Sequence, residues 1–139
     1  MPNFKSLTTS AAPKLLSVLR IIIGFLFAEH GGQKLFAFPI GMPGMGKAPL
    51  LSFLGFAGTL ELVGGLLILV GLFTRPVAFI LSGMMAFAYF TVHAKGGFWP
   101  LVNQGELAVA YCFVFLYLAA AGPGAWSVDS ARTRNAPIR

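Results

Sequence analysis

Four apolar stretches dominate this sequence, and each is close to the length that a helix needs to cross a lipid bilayer. A transmembrane helix requires about 20 predominantly apolar residues. The three residues 74–76 form so short a connection that the second and third stretches must run antiparallel. We therefore predict an all-α integral membrane protein, a four-helix bundle with antiparallel up-down-up-down topology. The predicted spans are residues 15–38, 50–73, 76–94 and 106–121.

The composition supports a chain embedded in lipid. Hydrophobic residues make up 57% of the 139 residues and charged residues only 10%, against roughly a quarter charged in an ordinary soluble domain. These proportions exclude a disordered chain and a DNA-binding domain, and the single Cys112 excludes a disulfide scaffold. Because the basic residues are dispersed, we expect the lipid bilayer, and no nucleic acid, as the macromolecular partner.

The distribution of basic residues predicts the orientation. With four spans both termini lie on one side, and the side richer in Lys and Arg is normally cytoplasmic. We predict a cytoplasmic N-terminal segment 1–14, a helical domain 15–121 and a cytoplasmic tail 122–139. The first span is long, contains Arg20 and Glu29 and is followed by no cleavage site, so we interpret it as retained, not as a signal peptide. The inner side would hold Lys5, Lys14, Arg75, Arg132, Arg134 and Arg139, and the outer side Lys47 and Lys95.

Ionisable residues inside the spans are the most informative part of the sequence, because each costs at least a few kcal/mol at membrane depth. A lone ammonium is unstable there, so Lys34 should pair with Glu61 or Glu106. Apart from Arg20 near the inner end and Glu61 near the midplane, the ionisable residues of the spans fall in the half of the bundle predicted to face outward. We expect a ligand-binding pocket there, formed by His30, Lys34, Glu61, Tyr89, His93, Asn103 and Glu106.

Two other interpretations of the same residues stay open. Polar side chains between membrane helices often serve only to hydrogen-bond their neighbours and fix the packing. A metal would find suitable donors in the two histidines and two of the carboxylates, but their spacing matches no recognised ligand motif, so we predict no metal site. Arg20 is predicted to be an inner-edge anchor whose head group reaches toward water, and Cys112 a small apolar filler.

Several segments together resemble the DoxX family of small four-helix membrane proteins. The first span carries His30-Gly31 and Lys34-Leu35, and the second carries Glu61-Leu62 before Gly64-Gly65. The fourth opens with Asn103-Gln104-Gly105-Glu106, and Gly122-Pro123-Gly124 follows it. The resemblance implies a bacterial inner-membrane protein in a family linked to quinone and sulfur redox metabolism.

The leading hypothesis is a redox-accessory protein that binds a quinone or a similar small molecule in the outer pocket. A quinone carbonyl needs hydrogen-bond donors, and a nearby carboxylate can relay protons. No haem or flavin motif is present, so we predict no covalently bound cofactor, and electrons would come from a partner. One alternative is a membrane anchor or scaffold for a redox enzyme or a larger membrane complex. Another is a small-solute transporter.

Overall fold

The computed structural model describes residues 3–134, and within that range the chain is helical and contains no β-strand. The third helix continues through a π-helical turn, Tyr89–His93, and a 3₁₀ turn, Ala94–Gly96. The helices are α1 (Phe4–Phe36), α2 (Phe53–Val70), α3 (Thr74–Ala88), α4 (Pro100–Asn103), α5 (Glu106–Ala121) and α6 (Val128–Arg134).

Three helical segments are long and apolar enough to cross a membrane, namely Phe4–Phe36, Phe53–Val70 and Thr74–Gly96. Helix α5 is equally apolar in character but has only 16 residues. Large apolar side chains point outward from these helices, including Phe56 at 63% and Phe79 at 66% exposed, as expected of faces that contact lipid. The predicted all-helical membrane class is confirmed, whereas the four-helix antiparallel bundle stays a prediction.

Helix α1 begins at Phe4, well before the predicted start of the first span at Leu15. The Asn3 side chain accepts the Ser6 backbone N–H at 2.8 Å and so caps the helix. Residues 4–14 of the predicted N-terminal segment are therefore helical. Residues 1–2 and 135–139, including Arg139 of the charge count, lie outside the described residues.

The described residues divide into two compact units, and the first comprises residues 3–74 and 123–134. Its centre is an antiparallel hairpin of α1 and α2, whose backbones touch at glycines. A Cβ atom built on Gly65 would lie 2.6 Å from the Ala28 backbone nitrogen and 2.8 Å from the Gly24 oxygen. Small residues permit such close approach, which strengthens van der Waals packing where lipid offers no hydrophobic driving force.

The second unit comprises residues 75–122, and side chains of α3 hydrogen-bond to backbone oxygens of α5. Arg75 donates to the Ala119 oxygen at 3.0 Å and also bonds the Ala120 oxygen, satisfying carbonyls at the end of α5. In the middle of the helices, the Ser82 hydroxyl donates to the Cys112 oxygen at 2.8 Å. Phe115 and Leu118 are fully buried between these contacts. Cys112 itself is half-buried.

We expect Gly65→Ala to destabilise the protein by about 1–3 kcal/mol, the usual cost of overpacking, because the new methyl group would meet backbone atoms that cannot rotate away. The measurement is thermal unfolding of the purified protein in detergent, followed by circular dichroism. Gly83→Ala is the matched control, since no atom lies within 4 Å of a Cβ atom built there. Equal melting temperatures for the two variants would contradict the close helix contact.

Candidate functional site

The first unit contains an ion pair between α1 and α2. Lys34 Nζ lies 2.5 Å from Glu61 Oε2, and the side chains are 18% and 7% exposed, respectively. The predicted pairing of Lys34 is therefore present, with Glu61 as its acid. Breaking such a pair by removing one partner is strongly destabilising, because the other charge is left buried and uncompensated.

Glycines on both helices bring the two charges together. A Cβ atom built on Gly58, one turn before Glu61, would lie 2.9 Å from the Lys34 Cβ. Gly31, one turn before Lys34, faces α2 in the same way, with the Gly58 oxygen 2.6 Å from its built Cβ atom. The short distance between the helix axes thus lets a lysine and a glutamate meet at low exposure. Glu29 and His30 precede Lys34 on α1 and are half-buried.

The second unit brings together three other predicted site residues, Tyr89, His93 and Asn103. The Tyr89 hydroxyl donates to the Phe98 oxygen and lies 3.4 Å from Asn103 Nδ2. His93 Nδ1 lies 3.2 Å from the Asn103 backbone oxygen. The rings of Tyr89 and His93 stack with centroids 6.5 Å apart. Side chains at the end of α3 are thus joined to the turn that precedes α5.

Asn103 holds this turn through both ends of its amide. Its Nδ2 donates to the Gly97 oxygen at 2.7 Å, and its Oδ1 accepts the Gly105 backbone N–H at 2.8 Å. Gln104, between Asn103 and Gly105 in the chain, takes the left-handed backbone conformation, with φ of 59°. Side-chain bonds to nearby backbone groups are a common way to stabilise such turns. Asn103 and Tyr89 therefore stabilise this turn, and their predicted part in a ligand pocket stays a prediction.

Glu106 is exposed in the first turn of α5, where a negative charge interacts favourably with the helix dipole. The seven predicted site residues therefore fall into two sets. His30, Lys34 and Glu61 belong to the first unit, and Tyr89, His93, Asn103 and Glu106 to the second. The single chamber that would join them stays a prediction. In residues 3–134 no three His, Cys, Asp or Glu side chains are grouped closely enough to hold a metal ion.

A second polar centre on the same hairpin surrounds Arg20, and sequence reasoning did not predict its buried contacts. Arg20 is only 1% exposed. Its Nη1 donates to the Ile68 oxygen at 2.6 Å and also bonds Leu69 O, and so satisfies carbonyls at the end of α2. Arg20 and Lys34 are separated by 14 residues of one helix, or about 21 Å. The prediction that Arg20 reaches toward water is wrong, because protein carbonyls replace water around its guanidinium.

The remaining Arg20 donors bind residues 123–129, which we call the C-terminal strap. Arg20 Nε donates to the Pro123 oxygen at 2.8 Å, and Nη2 donates to the Trp126 oxygen. The Trp126 backbone N–H donates to the Ser17 hydroxyl oxygen at 3.0 Å. Gly71 ends α2 with φ of 71°, and a Cβ atom there would lie 3.0 Å from the Arg20 guanidinium carbon. The strap, α1 and the end of α2 thus share one buried cation.

Asp129 closes the strap against the start of α3. Its carboxylate accepts the Phe73 N–H at 2.9 Å and the Thr74 N–H at 2.8 Å. Burial raises the pKa of Asp129, but these two backbone donors and the nearby charge of Arg132 outweigh burial and hold it below its ordinary value. Asp129 is therefore ionised at neutral pH. The dipole of α3 also favours a negative charge at the N-terminus of that helix.

No signal in the sequence pointed to the contacts of the strap with Arg20 and Ser17, because they join residues more than 100 positions apart. The Gly-Pro-Gly run at 122–124 was visible as a helix terminator. Its second role, close approach to α1, depends on the fold: a Cβ atom on Gly124 would lie 2.7 Å from the Ser17 nitrogen.

The apolar helices and the part-buried ion pair define a small helical membrane protein, and comparison with known sequences assigns its family. The family model for DoxX matches residues 15–94. This chain belongs to the DoxX family.

Three relatives illustrate the range of the similarity. An uncharacterized protein of Haemophilus influenzae is 45% identical over 121 residues, which cover 85% of this chain and 90% of the relative. The inner membrane protein YqjF of Escherichia coli is 32% identical, covering 81% of this chain and 87% of that protein. A Bacillus subtilis protein provisionally named oxidoreductase CatD is 28% identical, covering 81% and 82%. No solved structure matches this chain significantly.

Replacing Arg20 by Met should destabilise the protein by at least about 2 kcal/mol, because each buried carbonyl left without a donor costs about 1–3 kcal/mol. Arg20→Lys should recover only part of this loss, since an ammonium cannot reproduce the planar fork of a guanidinium. Thermal unfolding in detergent measures both effects. Lys14→Met is the control, because Lys14 is exposed on the same helix. An Arg20→Met variant as stable as that control would disprove the buried clamp.

Proposed function

We propose that this DoxX protein is a redox-accessory protein of the bacterial inner membrane that binds a quinone or a similar small amphipathic molecule beside Lys34 and Glu61. The observation that carries the proposal is the ion pair between these two residues on apolar helices. Intramembrane charges are expensive and are commonly retained for function. A pair used only for packing is often replaceable by apolar residues at no loss of stability.

The chemistry of the pair suits a carbonyl ligand. An ammonium has three donors, and the Lys34 contact with Glu61 Oε2 uses one of them. The 18% exposure of the Lys34 side chain leaves part of it accessible to a ligand. A carboxylate alongside can accept or release the proton that accompanies quinone reduction. The electrons would come from a partner protein, since the proposal assigns only binding and proton handling to this chain.

Family membership supports a redox setting without fixing the ligand. The Bacillus subtilis relative carries an oxidoreductase name, and the Escherichia coli relative is named an inner membrane protein. Both similarities extend over four-fifths of this chain, including the segment that carries Lys34 and Glu61.

Binding of decylubiquinone to the full chain in nanodiscs tests the proposal. We expect Lys34→Ala and Glu61→Gln to weaken binding at least tenfold. The double variant Lys34→Met/Glu61→Leu should regain the stability that each single change loses, yet still fail to bind, because it removes both charges together. Lys47→Ala, at an exposed loop lysine, should bind like the wild type.

Two outcomes would contradict the proposal. The double variant would bind as tightly as the wild type if the pair had only a structural role. A wild-type protein that binds no quinone, but copurifies with a soluble redox enzyme, would favour the membrane anchor instead.

We also propose four spans with both termini in the cytoplasm. Helix α5 rises about 24 Å over its 16 residues, and Phe113 on it is 64% exposed. The six basic residues predicted for the inner side outnumber the two predicted for the outer side, which supports this orientation.

Cysteine labelling in intact cells tests the orientation in a Cys112→Ala background. A membrane-impermeant maleimide should label Lys47→Cys directly and Ser10→Cys only after the cells are permeabilised. Labelling of both positions after lysis is the control for reactivity. Direct labelling of Ser10→Cys would reverse the orientation.

A further inference from the structure

Residues 37–52, which we call the α1–α2 loop, join the two helices of the hairpin and are apolar for a connection between helices. Lys47 is the one charged residue among them. Leu50 is 70% exposed, and the Leu51 side chain is fully exposed. Large exposed apolar patches mark surfaces that bind a partner or a membrane. The large exposed apolar residues of the loop are Phe38, Ile40, Met45, Leu50 and Leu51.

Backbone hydrogen bonds fold the loop against the hairpin. The Ala48 N–H donates to the Lys34 oxygen at 2.7 Å, and Ala48 is buried. Met42 and Gly46 exchange backbone hydrogen bonds of 2.7 and 2.9 Å across a tight turn. The prolines at positions 39, 43 and 49 have no N–H to satisfy. These features reduce the number of backbone donors that need water, which favours a position close to lipid.

The length of α2 places the loop at the edge of the hydrocarbon layer. Helix α2 has 18 residues and so rises about 27 Å. The hydrocarbon core of a bilayer is about 30 Å thick. Polar groups mark the end of α2 that is remote from the loop, because the ionised Asp129 of the strap binds the Phe73 and Thr74 N–H groups there. If that end borders the polar layer on one side of the membrane, the loop begins at the boundary on the other side.

The exposed apolar surface of the loop continues into the lipid-facing surface of α2. Leu50 and Leu51 closely precede this helix, and Leu54 and Phe56 in its first turns are also exposed. No charged residue occurs in residues 48–60. A protein–protein interface normally has a polar rim around its apolar core. An apolar surface that runs without a charge into a lipid-facing helix therefore suits the bilayer better than a protein partner.

We propose that the α1–α2 loop lies in the interfacial layer of the bilayer, with Leu50 and Leu51 among the acyl chains and the Lys47 ammonium at the level of the head groups. The partner of this surface is the lipid itself. Lysine side chains near a membrane surface extend their charged ends toward the head groups in this way. Because the Ala48 N–H bonds to the Lys34 oxygen, the loop also fixes the depth of the α1 end that carries the ion pair.

Spin-label accessibility of the full chain in phosphatidylcholine nanodiscs tests the depth of the loop. A nitroxide is attached to Leu51→Cys, Lys47→Cys or Phe56→Cys, each in a Cys112→Ala background. Oxygen concentrates among the acyl chains, whereas a nickel chelate stays in water. We expect the ratio of oxygen to nickel collisions at position 51 to equal that at the lipid-facing position 56 and to exceed that at position 47 several-fold. Leu51 is fully exposed, so the label displaces no packed neighbour.

Two results at position 51 would overturn the proposal. Frequent collisions with nickel would place the loop in water. Rare collisions with both reagents would show that protein covers the surface, either a second copy or another part of this chain. The measurement involves no ligand, so its outcome is independent of whether the protein binds a quinone.

Fluorescence gives a second reading that needs no label. In a Trp99→Phe/Trp126→Phe background, Leu51→Trp supplies the one indole of the chain. Phosphatidylcholine brominated on its acyl chains should quench this fluorescence, and iodide in the aqueous phase should not. Quenching by iodide without quenching by the brominated lipid would contradict the interfacial position.

Discussion

The close contact between the backbones of α1 and α2 is the constraint on which the first unit depends. Glycines at positions 24, 31, 58 and 65 remove the side chains that would hold these helices apart. Without that approach, Lys34 would not reach Glu61, and Arg20 would not reach the end of α2. Each cation would then need water or a lipid head group, because an unpaired charge in hydrocarbon costs several kcal/mol. Packing and electrostatics are thus inseparable in this hairpin.

Two cations of α1, the buried Arg20 and the half-buried Lys34, have different partners, and the difference suggests different roles. Arg20 binds backbone carbonyls of α2 and the strap, groups that belong to the fold itself. Lys34 binds a single carboxylate, and its side chain keeps some exposure. An arginine fork suits several fixed acceptors, whereas a lysine is a point charge with rotatable donors. Arg20 is therefore suited to a fixed contact within the fold, and Lys34 to the ligand contact proposed above.

In the second unit, three predicted site residues, Tyr89, His93 and Asn103, contact the turn that precedes α5. Tyr89 and Asn103 hydrogen-bond to backbone groups of the turn before α5, and their part in a ligand pocket stays a prediction. His93 contacts the same turn through its Nδ1, which lies 3.2 Å from the Asn103 backbone oxygen. The hydrogen bonds of these side chains with backbone groups satisfy polar groups that would be costly to leave unpaired in an apolar setting.

The sequence by itself determined the membrane class, the approximate helices and the need of Lys34 for an acid, because hydropathy, span length and the cost of buried charge are properties of the chain alone. It left Glu61 and Glu106 as equal candidates, and it misjudged Arg20. Only the tertiary structure decided these points. Which carboxylate or carbonyl lies within reach of a cation depends on helix separation and on contacts between residues far apart in the chain, and neither follows from local pattern. The Arg20 contacts with Pro123 and Trp126, across more than 100 residues, are the clearest example.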